Sequence, residues 1–189
     1  MTSTEPEQAL STEVLVIGGG PAGTWAAIKA AQAGADVVLA DKGYTGASGA
    51  TASVGTGIWY VDDVPEGRQL RGDLQGPEYM RRQRTRVRRL GVRILDHTPA
   101  LELLTDADGV VSGARALDRV TGATVRIEAG VVVLAAGGCA FQSKTLGCDV
   151  NTGDGALLAV EAGARLSGTE FSNAYAMAPK GTSLVGRVW

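Results

Sequence analysis

Three continuously apolar segments mark the predicted core of the chain. Residues 14–17 and 37–40 are short apolar runs, and residues 131–136 form a third run of the same kind. Such runs are typical of strands buried on both faces of a parallel sheet. The alanine-rich segment at 22–33 lies between the first two runs and predicts a helix that Gly34 ends. The first 41 residues therefore predict a strand, a helix and a second strand.

The polar and turn-forming residues in the second half of the chain predict a set of antiparallel strands. Residues 97–129 alternate between apolar and polar positions, with turn signals at Asp108-Gly109 and Thr121-Gly122. This pattern is typical of a β-meander. A helix that Pro77 begins and a short strand at 91–96 precede the meander.

Three further stretches complete the predicted organisation. The N-terminal residues 1–8 are acidic and polar, and we expect a flexible tail at 1–11. Residues 58–76, which are rich in Asp, Pro and Gly, predict an exposed loop. Thr152-Gly-Asp-Gly155 precedes a last helix at about 156–162, with Thr152 as its expected cap.

The order of these elements indicates the fold class. A strand–helix–strand unit, a crossover that contains a meander, and a return to the parallel sheet make an α/β domain. We expect a doubly wound parallel sheet of the Rossmann type with an inserted antiparallel β-meander at about 97–129. The length fits one domain that spans residues 1–189.

The turn after the first strand carries the pattern G-x-G-x-x-G. Gly18 allows a tight turn, Gly20 lacks the Cβ that would collide with a pyrophosphate, and Gly23 lets the helix lie against the strand. The helix N-terminus offers free N–H groups and partial positive charge to an anion. Asp41 ends the second strand 23 residues after Gly18, where a carboxylate can accept a hydrogen bond from a ribose hydroxyl. These residues predict a dinucleotide site.

Residues 42–57 consist almost entirely of small residues, mainly Gly, Ser, Thr and Ala. They are compatible with a flexible loop. They are also compatible with a backbone that follows an extended ligand, because small side chains permit close approach. We favour the second interpretation because the segment follows a predicted nucleotide-binding strand.

Composition narrows the possible partners. The net charge of −2 gives no reason to expect nucleic acid, and no apolar run approaches the length of a membrane span. Six arginines at 81–89 could hold phosphates or an acidic partner, but the segment has no aromatic residue for base stacking, so a solvated helix is the simpler interpretation. One His and two Cys outside a C-x-x-C pattern predict no metal site. We expect a cytoplasmic protein.

Taken together, the motifs resemble a known family. Their order is the glycine turn, Asp41-Lys42, a Ser-Gly-Ala-Thr loop, a Gly-Val-x-Ile-Leu strand, Leu-Ala-Ala-Gly-Gly, Thr-Gly-Asp-Gly and Glu170-Phe171. This order is similar to the flavoprotein subunits of fumarate reductase and succinate dehydrogenase, and to L-aspartate oxidase and adenylylsulfate reductase. The similarity covers about residues 12–57 and 77–179.

The resemblance implies FAD as the cofactor and an FAD-dependent oxidoreductase, or part of one, as the function. It places the pyrophosphate at the glycine turn, the ribose at Asp41, the ribityl chain and flavin along the small-residue loop, and the adenine near the backbone of Ala100. The implied FAD-binding residues are Gly18, Gly20, Pro21, Ala22, Gly23, Asp41, Lys42, Ser48, Gly49, Ala50, Thr51, Gly55, Ala100, Ala136, Gly137 and Asp154. For Asp154, an alternative interpretation is an acid favoured by the helix dipole.

The chain also departs from the family pattern. Gly49 occupies the position where some members carry the His that links flavin covalently, so we expect non-covalent FAD. A substrate-binding His of the family would fall near Tyr175, and His97, the only His present, is expected to be structural. The stretch at 57–77 is shorter than usual. The capping domain and the later segment that complete the site in the family have no counterpart in these 189 residues.

The sequence is compatible with three functions. The chain could be a flavin oxidoreductase completed by a partner subunit or by self-association. It could be a catalytically incomplete FAD-binding module or gene fragment, or an NAD-binding or NADP-binding Rossmann protein. The third is the weakest, because the later motifs resemble FAD proteins and because Asp41 would repel the 2′-phosphate of NADP. Neither the small-molecule substrate nor a catalytic residue follows from the sequence.

Overall fold

The computed structural model describes residues 7–53, 58–61, 70–143 and 147–169. In these ranges the chain forms eight strands and four α-helices, besides a short 3-10 helix at Phe141–Ser143. In chain order they are β1 (Gln8–Ile17), α1 (Pro21–Gln32), β2 (Val37–Ala40), α2 (Ala50–Ser53), β3 (Ile58–Val61), β4 (Leu70–Leu74), α3 (Gly76–Arg89), β5 (Arg93–Leu95), β6 (Ala100–Thr105), β7 (Val111–Leu117), β8 (Thr124–Leu134) and α4 (Asp154–Glu161).

A mixed six-stranded sheet forms the centre of the domain. Its strand order is β5-β2-β1-β8-β7-β6. Strands β5, β2, β1 and β8 are parallel, whereas β7 pairs antiparallel with both β8 and β6. The α/β class and the inserted antiparallel meander are thus confirmed.

Strand β8 belongs to both parts of the sheet. The sequence pattern predicted a meander that ends at residue 129 and a separate buried strand at 131–136, which implies a break at Gly130, but β8 runs unbroken through that residue and pairs with β1 from Gln8↔Val125 to Ile17↔Leu134. Its first half also pairs with β7. The prediction of a break was wrong because Gly130 makes no turn; its missing side chain leaves room for the carbonyl oxygen of Glu13, 3.3 Å from where a Cβ would lie.

The predicted tail at 1–11 was wrong for residues 8–11. These residues form the first part of β1, because β8 is long enough to offer them backbone partners, and Leu10 packs against the core. The polar composition that predicted fraying describes side chains, whereas the pairing uses the backbone. Residues 1–6 lie outside the described part of the chain.

The predicted loop at 58–76 was wrong as well. Strands β3 and β4 form a separate antiparallel pair, and α3 begins at Gly76. Ile58-Trp-Tyr-Val61 is a run of β-branched and aromatic residues, which favours a strand despite the Asp, Pro and Gly residues around it. Residues 62–69 lie outside the described part.

Two buried apolar clusters lie on the two faces of the sheet. One joins β1 and β2 to α1 and α3, through residues such as Val16, Ile28 and Val87. The other joins Leu15 and Ile17 of β1 to β2 and to the meander strands β7 and β8. Helices α1 and α3 therefore pack on one face, and the meander contributes to the core of the other.

The packing of α1 on β1 depends on two glycines. A Cβ at Gly23 would lie 1.8 Å from the carbonyl oxygen of Gly18, and a Cβ at Gly18 would lie 2.3 Å from the carbonyl oxygen of Ala135. Gly18 also has a φ of +110°, which L side chains rarely adopt. The helix start, the end of β1 and the end of β8 can therefore meet only without side chains at these positions.

We expect Gly23→Ala to destabilise the FAD-free protein by about 3 kcal/mol, because a backbone carbonyl cannot move aside without shifting β1. Urea unfolding measures this change. Gly20→Ala is the matched control: a Cβ at Gly20 meets no atom within 4 Å, so its cost should stay at about 1 kcal/mol or less. Equal stabilities for the two variants would contradict this account of the packing.

Candidate cofactor site

A cleft of ≈ 290 Å³ opens at the carboxyl ends of the parallel strands. The residues that follow β1, β2 and β8 form its floor, and the first residues of α1, α4 and β6 form its walls. Since β2 and β8 flank β1 on opposite sides, the cleft lies at the point where the strand order reverses. Open α/β sheets bind ligands at this place.

The cleft brings together most of the residues predicted for the cofactor. Gly23 does not line it, because the space beside Gly23 is filled by backbone, and Gly55 lies outside the described residues, as do Glu170-Phe171 and Tyr175. The predicted residues that line the cleft are Gly18, Gly20, Pro21, Ala22, Asp41, Lys42, Ser48, Gly49, Ala50, Thr51, Ala100, Ala136, Gly137 and Asp154.

The glycine turn has the geometry of an anion cradle. The first hydrogen bond of α1 runs from Thr24 N–H to the carbonyl of Gly20, so the N–H groups of Ala22 and Gly23 have no acceptor within the helix. No acidic residue occupies the first turn of α1. A Cβ at Gly20 would project into open space in the cleft. The positive helix end and this free space fit a diphosphate.

Asp41 is already engaged with the protein on both carboxylate oxygens. Its Oδ2 accepts a hydrogen bond from Gly19 N–H at 2.6 Å. Its Oδ1 accepts from Gly43 N–H at 2.8 Å and from Ser48 Oγ at 2.9 Å. Because an ionised carboxylate has about four lone-pair sites, roughly one acceptor site remains for a ligand. Asp41 thus ties the glycine turn to the loop that follows β2, a role that its spacing did not indicate.

Lys42 and Asp154 meet across the cleft, although they are 112 residues apart in sequence. Lys42 Nζ lies 3.2 Å from Asp154 Oδ2 and donates to Thr152 Oγ1 at 2.6 Å. The hydrogen bond from Thr152, together with that from Lys42, holds the pKa of Asp154 below its ordinary value. Asp154 therefore stays ionised at neutral pH and can hold the ammonium group of Lys42 across the cleft.

The start of α4 differs from the prediction in its cap. Gly153, with a φ of +83°, is the residue before the helix, and Thr152 makes no cap hydrogen bond to the helix backbone. Instead, Thr152 Oγ1 hydrogen-bonds the side chain of Asp154. A Cβ at Gly155 would lie 2.8 Å from the Cβ of Ala136, so the second glycine of Thr-Gly-Asp-Gly lets α4 approach the end of β8.

The remaining lining residues had weaker sequence signals. Gly19 and Ala135 adjoin predicted residues, whereas Thr98, Pro99 and Asn151 had no motif that marked them. His97 does not line the cleft; its N–H donates to the carbonyl of Gly43 at 2.6 Å. None of the described helices is long and apolar enough to cross a membrane.

Comparison with known proteins agrees with this geometry. The sequence profile of the family described as "FAD binding domain" matches residues 13–81 and 62–186. L-aspartate oxidase of Streptomyces coelicolor is 38% identical over 104 residues, which cover 53% of this chain and 18% of the oxidase.

Solved structures share the fold. Quinol fumarate reductase FrdA of E. coli superposes with a TM-score of 0.68 at 21% identity, over 82% of this chain and 37% of that chain. Mycobacterium smegmatis Sdh1 in the apo form superposes with a TM-score of 0.68 at 24% identity, over 82% of this chain and 39% of that chain. 3-ketosteroid-Δ4-(5α)-dehydrogenase of Rhodococcus jostii superposes with a TM-score of 0.67 at 20% identity, over 86% of this chain and 56% of that chain.

The chain thus covers less than two thirds of each of these relatives. The family profile, by contrast, spans the glycine turn, the loop after β2, the end of β8 and the start of α4, which together form the cleft. The chain therefore belongs to the FAD-binding domain family, in agreement with the resemblance of its motifs to fumarate reductase and succinate dehydrogenase flavoproteins, and FAD is its cofactor.

Proposed function

We propose that this chain holds the FAD of an oxidoreductase, with the diphosphate of the cofactor against Gly18–Gly20 and the N-terminus of α1. The observation that carries the proposal is the open space at Gly20, which lies in a cleft at the positive end of a helix. The family assignment supplies the identity of the dinucleotide.

The other lining residues support an extended ligand. We assign the ribose to the remaining acceptor site of Asp41 and the adenine to the backbone at Ala100, where β6 begins. The loop at 48–51 lies along the same cleft and suits the ribityl chain and flavin. Ala136, Gly137 and Asp154 lie at the ends of β8 and α4 and would contact the dinucleotide from the other side.

FAD is favoured over a nicotinamide dinucleotide because the matching family is defined by FAD binding. Asp41 further argues against NADP, because a carboxylate at the end of β2 would repel its 2′-phosphate.

We expect Gly20→Val to raise the Kd for FAD at least tenfold, which corresponds to about 1.4 kcal/mol, because the added side chain fills the space assigned to the diphosphate. Titration of the FAD-free protein, followed by quenching of flavin fluorescence, measures the change. Gly138→Val is the matched control, because Gly138 also has open space around it but does not line the cleft. Unchanged FAD affinity in Gly20→Val would place the diphosphate elsewhere.

We also propose that the FAD is bound without a covalent link. In the described part of the chain, the residues that line the cleft include no His, Cys or Tyr whose side chain could attach to the flavin. Gly49 lines the cleft and has no side chain at all.

Acid precipitation of the yellow protein should therefore leave the flavin in the supernatant. A pellet that keeps its flavin absorbance would contradict non-covalent binding. The same treatment of free FAD mixed with a colourless protein gives the reference for complete release.

The chemistry of the proposed oxidoreductase is supplied by the flavin ring, which accepts and donates electrons when FAD is bound. The protein's share is to bind, orient and shield the cofactor. Among the described residues, the ionisable side chains that line the cleft are Asp41, Lys42 and Asp154, and each is held by the hydrogen bonds given above. We propose that groups outside these residues, in the same protein or in a partner, meet the substrate.

Two relatives suggest the substrates to test. We expect L-aspartate to bleach the visible flavin bands under anaerobic conditions, or fumarate to restore them after reduction with dithionite, because these molecules appear in the names of L-aspartate oxidase and quinol fumarate reductase. Stopped-flow absorbance of the purified yellow protein measures both half-reactions.

A yellow protein whose flavin responds to neither molecule would contradict these substrates and favour a module that holds FAD without turnover of its own. Addition of a candidate partner protein that restores either half-reaction would show that the partner completes the site. The control is the Gly20→Val variant, which should show neither response because it is expected to lose FAD.

A further inference from the structure

A partly buried ion pair lies outside the cofactor cleft, where it lines a second, more open pocket. Arg84 of α3 and Asp96, which follows β5, form two hydrogen bonds: Nη2 to Oδ2 at 2.7 Å and Nη1 to Oδ1 at 3.0 Å. Their side chains are only 16% and 19% exposed. Planar two-point pairing of this kind fixes the direction as well as the distance between two elements.

The same two side chains hold the backbone of Thr45 on both sides. Arg84 Nη1 donates to the carbonyl of Thr45 at 2.7 Å. Asp96 Oδ1 accepts from the N–H of Thr45 at 2.8 Å. Thr45 is fully buried, so these bonds replace the water that would otherwise solvate its peptide groups.

Thr45 lies within the loop that builds one wall of the cleft. The loop is closed by Ser48 Oγ, which donates to Asp41 Oδ1 and accepts from Tyr44 N–H, and Asp41 Oδ2 accepts from the N–H of Gly19. A series of hydrogen bonds through Tyr44, Ser48 and Asp41 therefore connects the loop segment that contains Thr45 to the glycine turn. Each link is a hydrogen bond of 2.6–2.9 Å.

Packing around the pair leaves little room for the loop to shift. The guanidinium of Arg84 lies 3.8 Å from the centre of the Tyr44 ring. Gly46 has a φ of +85°, and a Cβ there would lie 3.0 Å from both the Cβ of Arg84 and the carbonyl oxygen of Met80. Tyr44 and Gly46, which flank Thr45, therefore both pack against α3.

Both partners of the pair are charged at neutral pH. Partial burial acts to raise the pKa of Asp96, but hydrogen bonds from Arg84 and Thr45 outweigh it and leave the pKa below its ordinary value. The hydrogen bond to Asp96 raises the pKa of Arg84. Replacing a buried ion pair by apolar residues of similar size is often neutral for stability. The two-point contact of Arg84 with Asp96 does, however, fix α3 relative to the residue that follows β5.

We infer that Arg84 and Asp96 are positioning residues for FAD binding: they clamp Thr45 and thereby hold the loop at 42–51 in its FAD-binding arrangement. This inference rests on the proposed cofactor site. It assigns to one arginine of the arginine-rich helix a role that its sequence pattern did not distinguish from that of its neighbours.

The test compares Arg84→Met with Arg82→Met in FAD titrations of the purified protein. Arg82 lies on the same helix but pairs with Glu78 on the exposed surface, with 50% of its side chain exposed. We expect the Kd for FAD to rise at least tenfold in Arg84→Met and to change less than twofold in Arg82→Met. Millimolar guanidinium should recover part of the lost affinity in Arg84→Met only, because the free cation can pair with Asp96.

Arg84→Met leaves the charge of Asp96 without a partner and could therefore prevent folding. A second variant tests the inference in that event. The double variant Arg84→Met with Asp96→Asn leaves neither charge buried, and it should show the same loss of affinity. Hydrogen exchange of the FAD-free double variant should be faster in peptides from residues 42–48 and unchanged in peptides from β1 and β8.

The outcomes separate this inference from the proposed site. FAD affinity within twofold of the unchanged protein in both Arg84 variants would overturn the positioning role, while a loss in Gly20→Val would still support the site. Uniformly faster exchange across the sheet would also overturn it, because the pair would then stabilise the whole domain. If Gly20→Val keeps its affinity, the site itself is misplaced and the positioning role is overturned with it.

Discussion

The carboxylate of Asp41 is the contact on which the cofactor cleft depends. It joins three parts of the chain: the glycine turn through Gly19, the start of the loop after β2 through Gly43, and a later point of the same loop through Ser48. A charged acceptor suits this position because hydrogen bonds to an ionised group are about twice as strong as neutral ones. The side chain most easily taken for a ligand contact is also the group that shapes the site.

Two different factors determine the shape of the cleft: the absence of side chains at the glycine turn, and charged side chains in and around the loop after β2. At the glycine turn the controlling fact is the absence of side chains, because Gly18 and Gly23 allow three backbone segments to meet. Beyond β2 the controlling facts are charges, first Asp41 and then the pair of Arg84 and Asp96. A loop made of small residues has little apolar surface to bury, so hydrogen bonds to charged groups must replace the hydrophobic packing that fixes other segments.

The sequence allowed the local parts of this site to be predicted and left the distant ones hidden. The glycine spacing and the helix starts follow from positions a few residues apart, and Asp41 follows from its distance of 23 residues from Gly18 within one strand–helix–strand unit. Gly20 and Asp41 line the cleft, as does Ala100, which the family resemblance had indicated. The bridge from Lys42 to Asp154 joins residues 112 apart, and no pattern in either segment signals its partner.

The errors in the predicted fold have a similar cause. The polar residues 1–8 suggested a tail as far as residue 11, and Gly130 suggested the end of a strand, yet residues 8–11 and Gly130 lie within strands because β1 and β8 pair from Gln8↔Val125 to Ile17↔Leu134. Composition describes side chains, whereas these pairings are made by the backbone. Arg84 could not be separated from the other arginines of α3 by sequence, since only the fold brings Asp96 beside it.

The two ion pairs near the cleft differ in exposure and in number of contacts. Arg84 and Asp96 are partly buried, so solvent and salt screen their attraction less than that of an exposed pair. Lys42 and Asp154, at 32% and 58% exposure, form a surface pair, a class that typically contributes about 0–1 kcal/mol. The partly buried pair makes two mutual hydrogen bonds and two more to Thr45, whereas Lys42 and Asp154 share one contact and the hydroxyl of Thr152. The loop after β2 is therefore attached to α3 by more contacts than attach it to the start of α4.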